Sequence, residues 1–187
     1  MAEQAEVQIS FAKGVEEERW LRALWRSEWG GDRMVSRGHV YHLDDLQSIV
    51  ARTGKQLVGA ATYRFDGDAG CELMSINATN QGGGVGTKLL SAVEAQARDA
   101  GRTRVWLITS NDNVDALRFY QRRGYRLAAL YPGAIDHARS IKPAIPLVGD
   151  HGIAIHDEIE LAKALVESGA GASQSGVGSE LLSRLVP

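Results

Sequence analysis

A single α/β domain of about seven strands and about four helices is what this sequence predicts, and three observations predict it. Strand-like alternation and helix-like amphipathic periods succeed one another along the chain, an order that lays helices on a sheet. The glycine-rich turn Gln81-Gly82-Gly83-Gly84-Val85-Gly86-Thr87 joins the apolar run Cys71 to Ala78 to the start of a helix. Val105, Trp106, Leu107 and Ile108 stand consecutively in the run 103–109, as expected of a central strand covered on both faces.

Glu6 to Phe11 alternates Val7, Ile9 and Phe11 with polar residues and reads as a half-buried first strand. Trp20, Leu21, Leu24, Trp25 and Glu28 then recur at helical spacing over 15–29, with Glu16, Glu17 and Glu18 at the end that the helix dipole makes positive. Gly30-Gly31 stops that helix. Residues 32–45 have no clear period and are expected to form a loop or a short second helix. The runs 47–52 and 56–65 meet across Thr53-Gly54-Lys55 as a hairpin. A turn at 66–70 leads into the fourth strand, Cys71 to Ala78, and the helix after the glycine turn ends near Gly101. Past the fifth strand, Asp112 or Asn113 caps a helix that Gly124 ends, and Tyr125 to Tyr131 is a sixth strand. Pro132 to Ile141 suits a short helix, and His156 to Leu161 a final strand, although 158–166 also fits a helix. The domain spans 1–167. The remainder, 168–187, is a glycine-, serine- and alanine-rich tail with room for a short terminal helix; Gly176 to Ser183 echoes Gly84 to Ser91, but no apolar strand precedes it.

The glycine turn carries the chemistry. Four glycines among five residues expose main-chain N–H groups to a bulky anion, and the helix that follows points its unpaired N–H groups and positive dipole end the same way. A phosphorylated carrier is the expected ligand. Its spacing excludes a Walker loop, because Thr87-Lys88 stand in the wrong order, and a dinucleotide fingerprint, because Thr87 occupies the third glycine's place. Q-x-x-G-x-G does fit, from Gln81 through Gly84 to Gly86. Downstream, Asn113-Val114-Asp115-Ala116-Leu117-Arg118-Phe119-Tyr120-Gln121-Arg122-Arg123-Gly124-Tyr125 reads N-x-x-A-x-x-[apolar]-Y-x-x-x-G-[aromatic].

Together, in this order, the two motifs resemble those of the GCN5-related N-acetyltransferase (GNAT) family, over about residues 6–165. The resemblance implies a mixed sheet whose fourth and fifth strands splay apart to admit the pantetheine arm of acetyl-CoA. It implies that main-chain groups of Ile76 and Ala78 pair with that arm, that an N–H near Ser75 or Ile76 faces the thioester oxygen, and that Gln81, Gly82, Gly83, Gly84, Val85, Gly86 and Thr87 hold the pyrophosphate. Many members carry arginine where Gln81 stands, so a modest salt dependence of cofactor binding is expected. Asn113, Ala116 and Phe119 fall beside the cofactor on the second motif. Arg118, Arg122 and Arg123 either touch the adenosine phosphate or solvate the outer helix face. Tyr120 matches the family's acid for the departing thiolate, and Glu72 is the first candidate for the base that deprotonates the acceptor amine. Asn111 is a candidate for orienting the substrate. Trp20, Trp25 and Trp29 line an acceptor pocket or pack a core.

The implied activity is transfer of acetyl from acetyl-CoA to a primary amine, on a small molecule or a peptide, by direct attack in a ternary complex. A CoA-binding sensor or scaffold without turnover is the alternative. Twenty-one basic residues against twenty-three acidic ones, a formal charge of −2, give no global basis for nucleic-acid binding. Cys71 is the sole cysteine, which excludes an internal disulfide. None of the five histidines has metal-ligand spacing, and His39 and His42 fall in the expected loop. No apolar run approaches the ~20 residues of a membrane span, and Met1 to Gln8 lacks a signal peptide's apolar core. The expectation is a cytoplasmic protein without a metal, and a homodimer by family habit.

Overall fold

The structure, a computed structural model, describes residues 6–79 and 83–165. Gln81, Gly82 and the tail 168–187 lie outside the described residues. Among the described residues nine strands and four helices follow in the order β1 (Val7–Phe11), α1 (Val15–Trp29), β2 (Arg33–Ser36), β3 (His39–His42), β4 (Gln47–Thr53), β5 (Gln56–Asp66), β6 (Gly70–Ala78), α2 (Val85–Asp99), β7 (Arg104–Ser110), α3 (Val114–Gln121), β8 (Arg126–Tyr131), α4 (Ala134–Ile141) and β9 (Glu158–Ala164). Seven strands form one mixed sheet in the order β1-β4-β5-β6-β7-β9-β8, with β6 and β7 its parallel pair.

The sheet has a core on each face. Cys71, Leu73, Val85, Leu89, Val93, Val105, Leu107, Tyr120 and Tyr125 belong to the cluster under α2, whereas Leu21, Trp25, Met34, Val50, Ala60 and Met74 form the one under α1. Trp25 is wholly buried there and Trp20 packs at its margin, so these tryptophans are core rather than pocket.

Residues 32–45 are neither loop nor helix. They form the hairpin β2–β3, with Arg33↔His42 and Ser36↔His39 as its outer pairs, followed by a single 3-10 turn. Its turn residues, Arg37 and Gly38, both have left-handed backbones, with φ of +50° and +74°. Such turns favour Asn-Gly or Asp-Gly, so an Arg-Gly turn between four-residue strands left no hairpin signature to read. The final strand begins at Glu158, and it is a strand throughout: Glu158 to Ala164 pairs with all seven residues of β7.

One local defect organises the middle of the sheet. Thr62 faces Ser75 while Tyr63 faces Leu73, so Met74 is an extra residue on β6. Such a bulge bends its strand and increases the local twist. Pairing with β7 ends at that point, after only Gly70↔Arg104 to Leu73↔Leu107. Ser75 turns to the same face as Met74, where its Oγ lies 2.7 Å from the Thr62 Oγ1 in a buried hydrogen bond. Beyond the bulge, Ile76 to Ala78 and Ile108 to Ser110 are half-buried, although the preceding residues of both strands are almost all buried. The strands have parted.

Gly59 sets α2 against the open end. A Cβ there would lie 2.7 Å from the Asn77 carbonyl oxygen and 2.8 Å from Val85 Cγ1. Without one, the first turn of α2 rests directly on β5 beside the end of β6.

Candidate functional site: a parted strand pair between an anion cradle and a charged cavity

At the open end, α2 begins without a side-chain cap. Its N-cap Gly84 has φ +74°, a conformation that a side chain disfavours, and a Cβ on Gly83 or Gly84 would meet nothing within 4 Å. The first bond of the helix runs from the Lys88 N–H to the Gly84 carbonyl at 3.0 Å, which leaves the N–H groups of Val85, Gly86 and Thr87 unpaired within it. There is no acidic residue in the first turn to neutralise them. Gly86 is bare for a different reason: a Cβ would press on the Phe119 ring at 3.4 Å. Thus Phe119 supports the cradle from beneath.

Arg123 completes this end. Its guanidinium donates to Thr87 Oγ1 through Nη2 at 2.6 Å and Nε at 3.2 Å, and its Nη1 donates to the Phe119 carbonyl at 2.7 Å. It also stacks 3.7 Å from the Phe119 ring centroid. Of the three arginines on the second motif, this one stands at the cradle. Arg118 instead pairs with Asp115 on the helix surface, and Arg122 is exposed. The position four residues after Phe119 was the legible signal for Arg123.

Asn113 is the N-cap of α3, its side-chain oxygen accepting from the Ala116 N–H at 3.1 Å. Only its amide nitrogen is free to reach a ligand. Ala116 is half-covered against the α2-side core. Asn111 is not available for a substrate, because its side chain accepts from the His156 and Asp157 N–H groups and donates to the Ala154 carbonyl. It fastens the chain that precedes β9.

Tyr120 is 6 % exposed and wedged edge-on between Phe119 and Tyr125, at centroid distances of 5.1 and 5.5 Å. Among the described residues its hydroxyl has no hydrogen-bond partner. Burial raises its pKa, with the Arg123 charge opposing. Ile76 and Ala78 lie on the parted stretch of β6 and pack against the same core.

At the closed end of the cleft, Glu72 faces Arg64 on β5 and Trp106 on β7. It is 1 % exposed. Arg64 grips one carboxylate oxygen, Oε2, through Nε at 2.7 Å and Nη2 at 2.6 Å. Among the described residues the other oxygen, Oε1, has no partner. Burial raises the Glu72 pKa, and the Arg64 charge and hydrogen bond only partly counter it. Glu72 is therefore a buried ion pair and not a surface carboxylate.

Over this pair lies a cavity of about 470 Å³, lined by Arg37, His39, Val40 and Tyr41 of the hairpin and by Arg64, Asp66 and Trp106 of the sheet. Trp106 is the tryptophan that meets a cavity, which a central-strand position concealed. His39 lines it from a strand rather than a loop. Cys71 is buried and its thiol is pushed up to about 12, so it offers no thiolate.

Residues 15–125 match the sequence profile described as the Acetyltransferase (GNAT) family. The uncharacterized protein YxbD of Bacillus subtilis is 41% identical over 146 residues, 78% of this chain and 91% of YxbD. A Bacillus subtilis acetyltransferase solved in complex with CoA superposes with a TM-score of 0.66 at 18% identity, covering 86% of this chain and 100% of that one. A GNAT family acetyltransferase from Elizabethkingia anophelis, solved with acetyl-CoA bound, gives a TM-score of 0.65 at 16% identity over 85% and 98% of the two chains.

Placing a carboxylate at the cradle, as in Gly84→Asp, sets like charges together at a cost of several kcal/mol. Affinity for CoA, the ligand that the motifs imply, is expected to fall by about two orders of magnitude or more in calorimetry, with the circular dichroism unchanged. Unchanged affinity would remove the anion site.

Proposed function

Because the chain belongs to the GNAT acetyltransferase family, we propose that it is an N-acetyltransferase that moves acetyl from acetyl-CoA to a primary amine by direct attack in a ternary complex. The observation that carries this reading is the parting of β6 and β7 between a bare helix N-terminus at one end and a cavity at the other. The cradle suits a diphosphate: unpaired N–H groups, no acidic residue, and Arg123 beside Thr87. Arg123 supplies a positive charge that Gln81 lacks, so cofactor binding weakens with salt more than the motif alone implies. The unpaired edge of β6 from Ser75 to Ala78 offers main-chain groups to the two amides of an extended pantetheine arm, which runs back from the cradle toward the bulge.

Acetyl-CoA supplies the activated thioester; the protein aims it and moves two protons. An amine with a pKa near 10.4 arrives protonated at neutral pH, and Glu72 accepts that proton at Oε1, directly or through one water. The raised proton affinity of Glu72 improves it as a base. As the amine nitrogen bonds to the acetyl carbon, a main-chain N–H at Ser75 or Ile76 stabilises the oxyanion, a contribution of typically about 10²–10³ in rate. The carbon–sulfur bond then breaks as Tyr120 hydrogen-bonds and protonates the sulfur, the nitrogen gives up its second proton to form the neutral amide, and that proton, relayed through water, restores Tyr120. A free tyrosine is already a weaker acid than a thiol by roughly 1.5 units, or about 2 kcal/mol. Burial weakens Tyr120 further, so it assists departure through a hydrogen bond more than by full transfer.

A cavity walled by the β2–β3 hairpin suits a small-molecule amine better than a protein segment. Release of free thiol from acetyl-CoA, measured against an amine panel, tests the proposal: amine-dependent release supports a transferase, and tight acetyl-CoA binding without release from any amine leaves a CoA-binding sensor. In that assay Tyr120→Phe is expected to lower kcat by about tenfold to a hundredfold with cofactor affinity unchanged. An unaltered kcat would remove its role. Glu72 works deprotonated, so kcat/KM falls as pH drops, with an inflection above the ordinary carboxylate range of about 4.3. Glu72→Gln abolishes that acid limb; a variant that kept it would place the base elsewhere.

A further inference from the structure

Granting that the cavity receives the acceptor, its charges describe what the acceptor carries besides its amine. Two arginines line it, and they differ in what they are bound to. Arg64 is engaged by Glu72 Oε2 and by Asp66, whose Oδ1 lies 3.5 Å from its Nη2. Arg37 has no carboxylate on its guanidinium among the described residues. Its carbon Cζ stands 4.9 Å from the Tyr131 ring centroid and 5.8 Å from that of Trp106. Stacking on ring faces fixes a guanidinium plane and leaves the N–H groups at its edge to pair with an anion.

The main chain holds Arg37 in place independently of that side chain. Its N–H donates to both carboxylate oxygens of the buried Glu158, at 3.0 and 3.2 Å. The Tyr131 hydroxyl is fixed in turn on Glu160 Oε2 at 2.7 Å. Arg37 also occupies a left-handed turn position where Asn, Asp or Gly would sit without strain. Strained residues that the surroundings hold in place concentrate at functional sites. An arginine here has its value in the guanidinium.

We propose that the acceptor is a zwitterion, a primary amine bearing its own carboxylate, with the carboxylate paired to Arg37 and the amine turned toward Glu72. The lining is complementary to both ends: an uncommitted cation at the hairpin tip, and at the sheet Asp66 with Arg64, which pairs with the buried Glu72 beneath it. His39, Tyr41 and Trp106 provide aromatic walls for the part between.

The test compares phenylalanine with phenylalanine methyl ester and phenethylamine, and lysine with lysine methyl ester and cadaverine, by thiol release from acetyl-CoA. For the wild-type protein the acid of at least one set is expected to show kcat/KM higher than its ester and its carboxyl-free amine by about tenfold or more. In Arg37→Gln the acid-to-ester ratio collapses toward one, and Arg37→Lys, which keeps the charge but loses the fork, restores part of it. Because Glu158 binds the Arg37 main chain, the hairpin persists in both variants, checked by circular dichroism. Equal kcat/KM for acids, esters and amines in the wild-type protein, or an acid preference that survives Arg37→Gln, overturns the proposal and leaves the transferase intact. Absence of thiol release from every compound overturns the transferase itself, and the zwitterion with it.

Discussion

A missing set of hydrogen bonds is the constraint on which the site depends. Two parallel strands in the middle of a sheet ordinarily pair along their whole length, because unpaired main-chain groups in a buried setting are costly. Here the extra residue Met74 rotates β6 away from β7 after Leu73. The strand stays anchored on its other edge, where Ser75 to Ala78 continue against Thr62 to Gly59. Meanwhile β7 loses nothing on its far side, where β9 follows it to Ser110. The gap is therefore held open by two rigid half-sheets, and the groups along it are available to a ligand that supplies the missing partners, much as an added strand would.

Charge is arranged around that gap with opposite signs at opposite ends. The open end has main-chain N–H groups and Arg123, suited to a diphosphate; the closed end has the buried Glu72, suited to receiving a proton. Glu72 remains tolerable in the core because Arg64 binds one oxygen, and its raised proton affinity follows from what burial removes and Arg64 does not fully restore. The hairpin β2–β3 is tied to the sheet through Glu158 and the Arg37 main chain, so the cavity roof and the final strand are one mechanical unit.

Much of this was legible in the sequence because it rests on main-chain requirements that leave glycine and small residues behind. The cradle, the two helices beside it and seven strands of the main sheet follow from period and turn chemistry. The capping of α3 by Asn113 follows in the same way, as does the left-handed Gly124, although the helix itself ends at Gln121 and Gly124 closes the turn after it. The bulge was not legible, since Met74 is an ordinary apolar residue whose status depends on the partner register. Nor was the hairpin at 33–42, whose Arg37-Gly38 turn and charged strands resemble a loop. Asn111 looked like a ligand-facing polar residue because a side chain that satisfies distant main-chain groups cannot be distinguished by type alone. Trp106 was hidden for the opposite reason, as one apolar residue in the buried run Val105 to Leu107, where type alone does not show that it also borders the cavity.

The central claim is that acetyl-CoA fills the gap between β6 and β7 with its diphosphate on α2, and amide hydrogen exchange tests it most directly. Saturating acetyl-CoA is expected to slow exchange by about tenfold or more at amides within Ser75 to Ala78 and at Val85, Gly86 and Thr87, and to leave the outer face of α1 unchanged. Unchanged exchange at both stretches in protein that calorimetry shows to be loaded, or protection confined to another part of the sheet, would contradict it.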